Sequence, residues 1–240
     1  KNIGTVSDKN GNFELNITDI TPFDTLKMSC IGYTPLILPL SINDGMYSIY
    51  EVRTFEIDSK ASSLPEVEIR TGKIKSRTIG NKIYSHLVVA GLSPLQLGAE
   101  IGTVLKYNKK NTGQIQNVNF HLSDSKYDSL MFRVNIYKFK NGQIEESILK
   151  EPLYIKTKNK SGVLSLDLEE KKIFIDGDSF LSLEWIENSN IFPENEMSWC
   201  KLWFIAGFLR GESYARVISQ SDWQKMELGL GFWATVKYKK

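Results

Sequence analysis

Val118-Asn119-Phe120-His121-Leu122 and, a short way downstream, Phe132-Arg133-Val134-Asn135-Ile136 carry an apolar side chain at every second position. Successive side chains of an extended chain point to opposite faces, so a period of two predicts strands with one face on a core. The pattern recurs along the whole chain. Leu26, Met28 and Cys30 alternate with Lys27 and Ser29, and Leu36, Leu38 and Leu40 follow. Leu164, Leu166 and Leu168, then Leu181, Leu183 and Trp185, then Phe232, Ala234 and Val236 repeat it with polar residues between them. Asn10-Gly11, Asn141-Gly142, Ser161-Gly162 and Asp176-Gly177 fall between such runs, where glycine supplies the positive φ of tight hairpins. Helical periodicity is confined to Gln220-Ser221-Asp222-Trp223-Gln224-Lys225-Met226, which predicts a turn or two of helix capped by Ser221 or Asp222. Short strands, frequent turns and no alternation of strand with helix predict an all-β antiparallel protein, built as β-sandwiches or a jelly roll.

The 240 residues suffice for two domains. Ile57-Asp58-Ser59-Lys60-Ala61-Ser62-Ser63-Leu64-Pro65 is small, polar and proline-terminated, and Thr71 to Thr78 is basic and poor in apolar residues. This composition predicts a linker over 58–75, between an N-terminal β unit at 1–57 and a larger one at 76–240. A formal net charge of +2, without long runs of one sign, offers no footprint for a nucleic-acid backbone. No apolar stretch approaches the roughly 20 residues that span a bilayer as a helix. The chain begins without methionine and without a charged-then-apolar leader, which predicts a removed leader or an excised piece; a lipid-bearing cysteine would lie upstream of Lys1.

Few residues are suited to catalysis. His86 and His121 are the only imidazoles, Cys30 and Cys200 the only thiols, and none stand at metal-ligand spacing. Both cysteines read as small buried residues, and no metal or cofactor is expected. His121 alternates with apolar residues, so it should face solvent or a neighbouring strand; His86 sits near a loop. Neither accompanies a G-x-S-x-G elbow. Asp176, Asp178, Glu184 and Glu187 form the densest carboxylate group, the arrangement a glycosidase would need, although Asp176-Gly177-Asp178 also has the composition of a turn and Glu184 the phase of a solvated sheet face. The five tryptophans, Trp185, Trp199, Trp203, Trp223 and Trp233, all lie in the C-terminal unit. Trp185 is in phase with Leu181 and Leu183 and should be core, while the apolar chain from Trp203 to Phe208 suggests a strand buried on both faces. Trp223, flanked by Asp222, Gln224 and Lys225, should be exposed, with Tyr214 and Arg216 sharing its surface as a ligand-binding group.

Gly4-Thr5-Val6-Ser7-Asp8-Lys9-Asn10-Gly11-Asn12-Phe13-Glu14-Leu15, followed by Asp24-Thr25-Leu26-Lys27-Met28-Ser29-Cys30-Ile31-Gly32-Tyr33, resembles the carboxypeptidase regulatory-like domain, whose G-T-x-[ST]-D-x-x-G-x-[FY] hairpin precedes an S-x-I-G-Y strand end. The resemblance covers residues 3–57. It implies a transthyretin-like Greek-key sandwich that is truncated here, because the strands preceding this hairpin in the family have no counterpart. An exposed sheet edge would follow, open to pairing with another chain or a second copy. Read from the residues alone, Asp8 and Asn10-Gly11 close the hairpin and Gly32 lets the chain bend. Asp8, Asn10 and Asn12 alternate like calcium ligands but lack the bidentate Glu of such a loop. The family's domain is non-catalytic and is attached to envelope enzymes and to TonB-dependent outer-membrane receptors. Leu64-Pro65-Glu66-Val67-Glu68-Ile69 resembles the segment that follows it in those receptors, but the remaining chain is too short for their barrel. The resemblance implies an exported protein, periplasmic or at the cell surface, of the kind found in Bacteroidetes-type bacteria.

These readings predict a non-enzymatic envelope protein that binds or scaffolds a protein or glycan partner. The competing expectation is a carboxylate-dependent glycan hydrolase or glycan-binding accessory protein.

Overall fold

The computed structural model describes residues 3–8, 10–15, 21, 24–39, 42–43, 46–47, 54–60, 73–92, 97–108, 111–189, 201–219 and 221–239. Among them the chain is all-β and antiparallel, and none is helical. The N-terminal strands are short: β1 (Thr25–Met28) pairs with β2 (Leu36–Pro39), and β3 (Ile42–Asn43) with β4 (Met46–Tyr47). The larger ladder follows in chain order as β5 (Ile74–Gly80), β6 (Val88–Leu92), β7 (Glu100–Leu105), β8 (Gly113–Ser125), β9 (Leu130–Lys140), β10 (Gln143–Ser147), β11 (Leu153–Thr157), β12 (Gly162–Asp167), β13 (Phe174–Ile175), β14 (Ser179–Asn188), β15 (Leu202–Arg216), β16 (Gln224–Leu230) and β17 (Phe232–Lys239).

Strand β15 serves two layers. Its first half pairs with β6 and β8, and its second half, Ser213 to Arg216, pairs with β7. Between the halves its register with β16 shifts, and Gly211 takes a φ of 79°, which a residue without Cβ adopts readily. The first layer is β5-β17-β8 with β12 and β13 on the far side of β8. The second runs from β10 and β11 through β9, β14 and β7 to the end of β15. Val118, Phe120 and Leu122 from the first layer and Phe132, Val134, Ile136, Leu181, Leu183 and Trp185 from the second share one core. Phe204 sits between Phe132 and Phe232, at centroid distances of 5.9 and 5.4 Å in edge-to-face geometry. The period of two therefore predicts the core correctly in both layers.

The N-terminal residues lie against this body. The 8–12 turn closes as expected, with the Asp8 carboxylate accepting the Asn10 and Asn12 amides at 2.8 Å each. Gly32 has a φ of 84°, and a Cβ there would stand 2.6 Å from the Lys150 carbonyl oxygen. Ile31 packs on the main core, and a Cβ added at Gly4 or at Gly98 would stand 2.9 Å from Ile218 or 3.3 Å from Val6 respectively, so the segment holding Gly4 and Val6 passes close to the body. The described part of 1–57 holds only the two short hairpins β1–β2 and β3–β4, which do not decide a Greek-key order. Most of the linker expected at 58–75 lies outside the described residues, although its end at Ile74 and Lys75 is already strand β5, paired with β17.

Three local expectations change. Residues Gln224 to Met226 are strand and not helix, because they satisfy the open edge of β15 opposite Ala215, Tyr214 and Ser213; the alternation of Met226, Leu228 and Leu230 carries that signal. Cys30 is half-buried and not interior, while Cys200 and Trp199 lie outside the described residues. The Trp203 to Phe208 run is not buried on both faces: Leu202, Phe204, Ile205 and Ala206 are, but Trp203 is half-buried and Phe208 is 67% exposed.

Candidate functional site

Each layer has an outer face, and the two differ. On the second layer, directly opposed residues of four strands form one rung: Arg133 on β9, Glu184 on β14, Glu100 on β7 and Arg216 on β15. Two carboxylates side by side repel, and the arginines at either end compensate. Arg133 donates to Glu184 through Nε at 2.8 Å and Nη2 at 2.6 Å. Arg216 donates to Glu100 through Nε at 2.8 Å and through Nη2. Asn135 bridges the carboxylates, its Nδ2 lying 2.8 Å from Glu100 and 3.3 Å from Glu184. Ser182 and Tyr137 also donate to Glu100, and Ser219 donates to Glu184 at 2.6 Å.

The rung is out of water: Glu100 and Glu184 are 0% and 1% exposed. Trp223 lies over the Arg216 guanidinium at 4.5 Å and packs edge-on to Phe180 and Tyr137. Burial, followed by the neighbouring Glu100 charge, pushes the Tyr137 phenol far above its ordinary range. Burial also opposes the Arg133 and Arg216 charges, yet Glu184 and Glu100 respectively outweigh it and hold both guanidinium groups above their ordinary values.

Tyr214, Arg216 and Trp223 are thus brought together as expected, but not as an open site. Tyr214 is buried among Phe139 and Phe180, Arg216 is consumed by Glu100, and Trp223 is half-buried as their cover. The four carboxylates nominated for hydrolysis disperse. Asp176 is exposed on a turn; Asp178 accepts the Tyr107 amide at 2.7 Å and pairs with Lys106; Glu187 is exposed near Lys156; Glu184 belongs to the rung and is buried, not solvated. Glu100 is the carboxylate that joins Glu184, and its placement in Ala99-Glu100-Ile101 gives no warning of it.

The first layer presents a different outer face, with an open groove of about 330 Å³ lined by Gln116, Asn117, Asn119, Ser165, Asp167 and Glu169. Cross-strand pairing builds it. Asn119 stands between Ser165 on β12 and Trp233 on β17, and Asn117 between Asp167 and Thr235. The register shift between Thr235 and Val236 adds a residue to β8, and Gln116 joins Asn117 at the groove. Ser165 donates to Asn119 Oδ1 at 2.7 Å, and Asn119 Nδ2 donates to Asn117 Oδ1 at 2.8 Å. Among the described residues the Asn117 amide nitrogen has no partner. The loop between β5 and β6 folds over the adjoining part of this face. His121 Nδ1 is 2.7 Å from the Ile83 carbonyl, which only accepts, so that nitrogen carries the proton. This cover buries His121, which was expected to face solvent or a neighbouring strand, while His86 stays exposed on the loop. Tyr84, 59% exposed, lies 6.4 Å from the Trp233 ring and 5.6 Å from His121, with Lys82 over both Tyr84 and Trp233. Sequence reading passed over this group because Asn117, Asn119 and Ser165 look like the ordinary outward residues of half-buried strands.

Neither a family model nor a curated protein matches the chain. Among solved structures, the chain is similar to the cysteine protease and lectin-like domains of Cwp84, a surface layer associated protein of Clostridium difficile, at 11% identity and a TM-score of 0.44, covering 75% of this chain and 38% of that one. The chain thus spans well under half of that chain's length. Among the described residues no helix is long and apolar enough to cross a membrane.

Proposed function

We propose that this chain is a non-catalytic binding module. The observation that carries the reading is the fate of its carboxylates. Glu100 and Glu184, the pair bridged by one amide, are buried and hydrogen-bonded by two arginines, Asn135, Ser182, Tyr137 and Ser219, which leaves no route for a substrate to take their place. General acid and base groups must reach the reacting atoms within hydrogen-bond distance, and these do not. The outer face of β8 and β12 instead offers open polar groups, hydrogen-bonded to one another and to Ser76 but still accessible, with the Asn117 side-chain nitrogen unpartnered among the described residues, suited to holding a ligand without transforming it. Placement at the cell envelope rests on the regulatory-like resemblance of residues 3–57.

A glycan array and a pull-down with the purified chain, each followed by mass analysis of the added material, test the reading. The expected result is retention of a partner recovered unchanged. Shortened glycans or cleaved protein in the supernatant would refute it.

A further inference from the structure

Resting on the binding reading, we infer that the groove on β8 and β12 takes a short, neutral carbohydrate chain, with one sugar face against Tyr84. The lining decides the chemistry. Gln116, Asn117 and Asn119 supply amides that both donate and accept, Ser165 a hydroxyl, and Asp167 and Glu169 acceptors. Sugar hydroxyls likewise donate and accept at once, and adjacent hydroxyls can share a carboxylate or a side-chain amide. Asp167 and Glu169 disfavour phosphates and uronic acids by like charge; Lys237 already pairs with Glu169 at 3.2 Å.

The groove is lined by side chains on a sheet face, whereas strand addition would use the outer backbone edge of β12, so these lining groups are not placed to receive a peptide in that way. Its lining contains no apolar side chain to anchor a protein hot spot. Shape and aromatic placement agree. From Asn117 to His121 the strand runs about 13 Å at roughly 3.3 Å per residue. At the His121 end Tyr84 presents an exposed ring beside Trp233, the cross-strand neighbour of Asn119. An aromatic face next to hydrogen-bonding groups meets the apolar C–H face of a pyranose ring while its hydroxyls reach the amides. The volume, about 330 Å³, is at the small end for ligand sites and suits a short oligosaccharide.

Calorimetric titration with neutral oligosaccharides (glucan, mannan and xylan fragments) and with polygalacturonate fragments, followed by product analysis, provides the test. We expect at least one neutral fragment to bind and the polygalacturonate fragments not to. Asn117→Ala and Tyr84→Ala should each weaken binding about tenfold or more, the worth of one well-placed hydrogen bond or ring contact. Ser165→Ala, at an exposed position, repeats the test where a variant melts early, and Glu212→Gln, on the other layer, should bind like the parent. A neutral fragment that binds equally to the Asn117, Ser165 and Tyr84 variants overturns the groove while leaving the binding reading intact. Shortened fragments overturn the binding reading itself. If every fragment fails to bind while a protein is captured by pull-down, the ligand class is wrong.

Discussion

Arg216→Met removes one end of the buried rung and leaves the Glu100 carboxylate, 0% exposed, without its counter-charge. Methionine keeps much of the stem volume beneath Trp223, so the loss falls on the ion pair and the cation–π contact rather than on a cavity. Breaking a buried pair by removing one partner costs about 3–5 kcal/mol. Asn135, Ser182 and Tyr137 still donate to Glu100, which favours the lower end of that range. For a body of this size each kcal/mol moves Tm by about 2–4 °C, so the melt should fall by about 6–20 °C. Urea titration should show a lower midpoint at unchanged m, and the loss should persist in about 1 M salt because buried pairs are little screened. Glu100→Gln combined with Arg216→Met should recover most of the loss, since deleting both charges removes both desolvation penalties. A cost for Arg216→Met below about 1 kcal/mol, or one abolished by salt, would show that the rung is hydrated and would refute the reasoning.

The remaining predictions concern independent regions. Phe204→Ala, which empties the space between Phe132 and Phe232, should cost about 3–5 kcal/mol in the same urea assay, and Glu212→Gln less than about 1 kcal/mol because Lys225 and Lys106 are exposed partners. Burial pushes Tyr127 up to about 12 and Tyr137 higher still, so both should stay protonated in an ultraviolet titration at about pH 11. The folded state then holds protons that the unfolded chain releases, and stability should fall as pH rises above about 10; Tyr137→Phe should make that fall shallower. Gly32→Ala, strained at a φ of 84° and blocked by Lys150, should loosen residues 24–39 from the body, seen as faster proteolysis of the N-terminal segment with little change in the main melt.

How much was legible in advance differs between the two outer faces. The alternation around Phe132 to Ile136 and Leu181 to Trp185 assigns Arg133, Asn135 and Glu184 to the side away from the core, and the structure agrees. The same rule cannot tell whether that side meets water. Glu184 and Glu100 lie far apart along the chain and become neighbours only through the pairing of β14 with β7, while the residues that cover them, Ser219 and Trp223, come from a later connection. Arg216 and Trp223 looked like a surface pair for the same reason: their local surroundings are polar, and the carboxylate that claims Arg216 is more than a hundred residues away in sequence.

What the sequence determined by itself was therefore the periodic part: all-β, antiparallel, with core residues named on the strands that alternate cleanly, β8, β9, β12, β14 and β17, because pleat and side-chain direction are properties of each strand alone. Only the tertiary structure decided which outward faces are covered. The β14 and β7 face is closed over a charged rung, and the β8 and β12 face is left open as a groove. Cover and register arise from contacts between distant segments, and no local pattern of side chains encodes them.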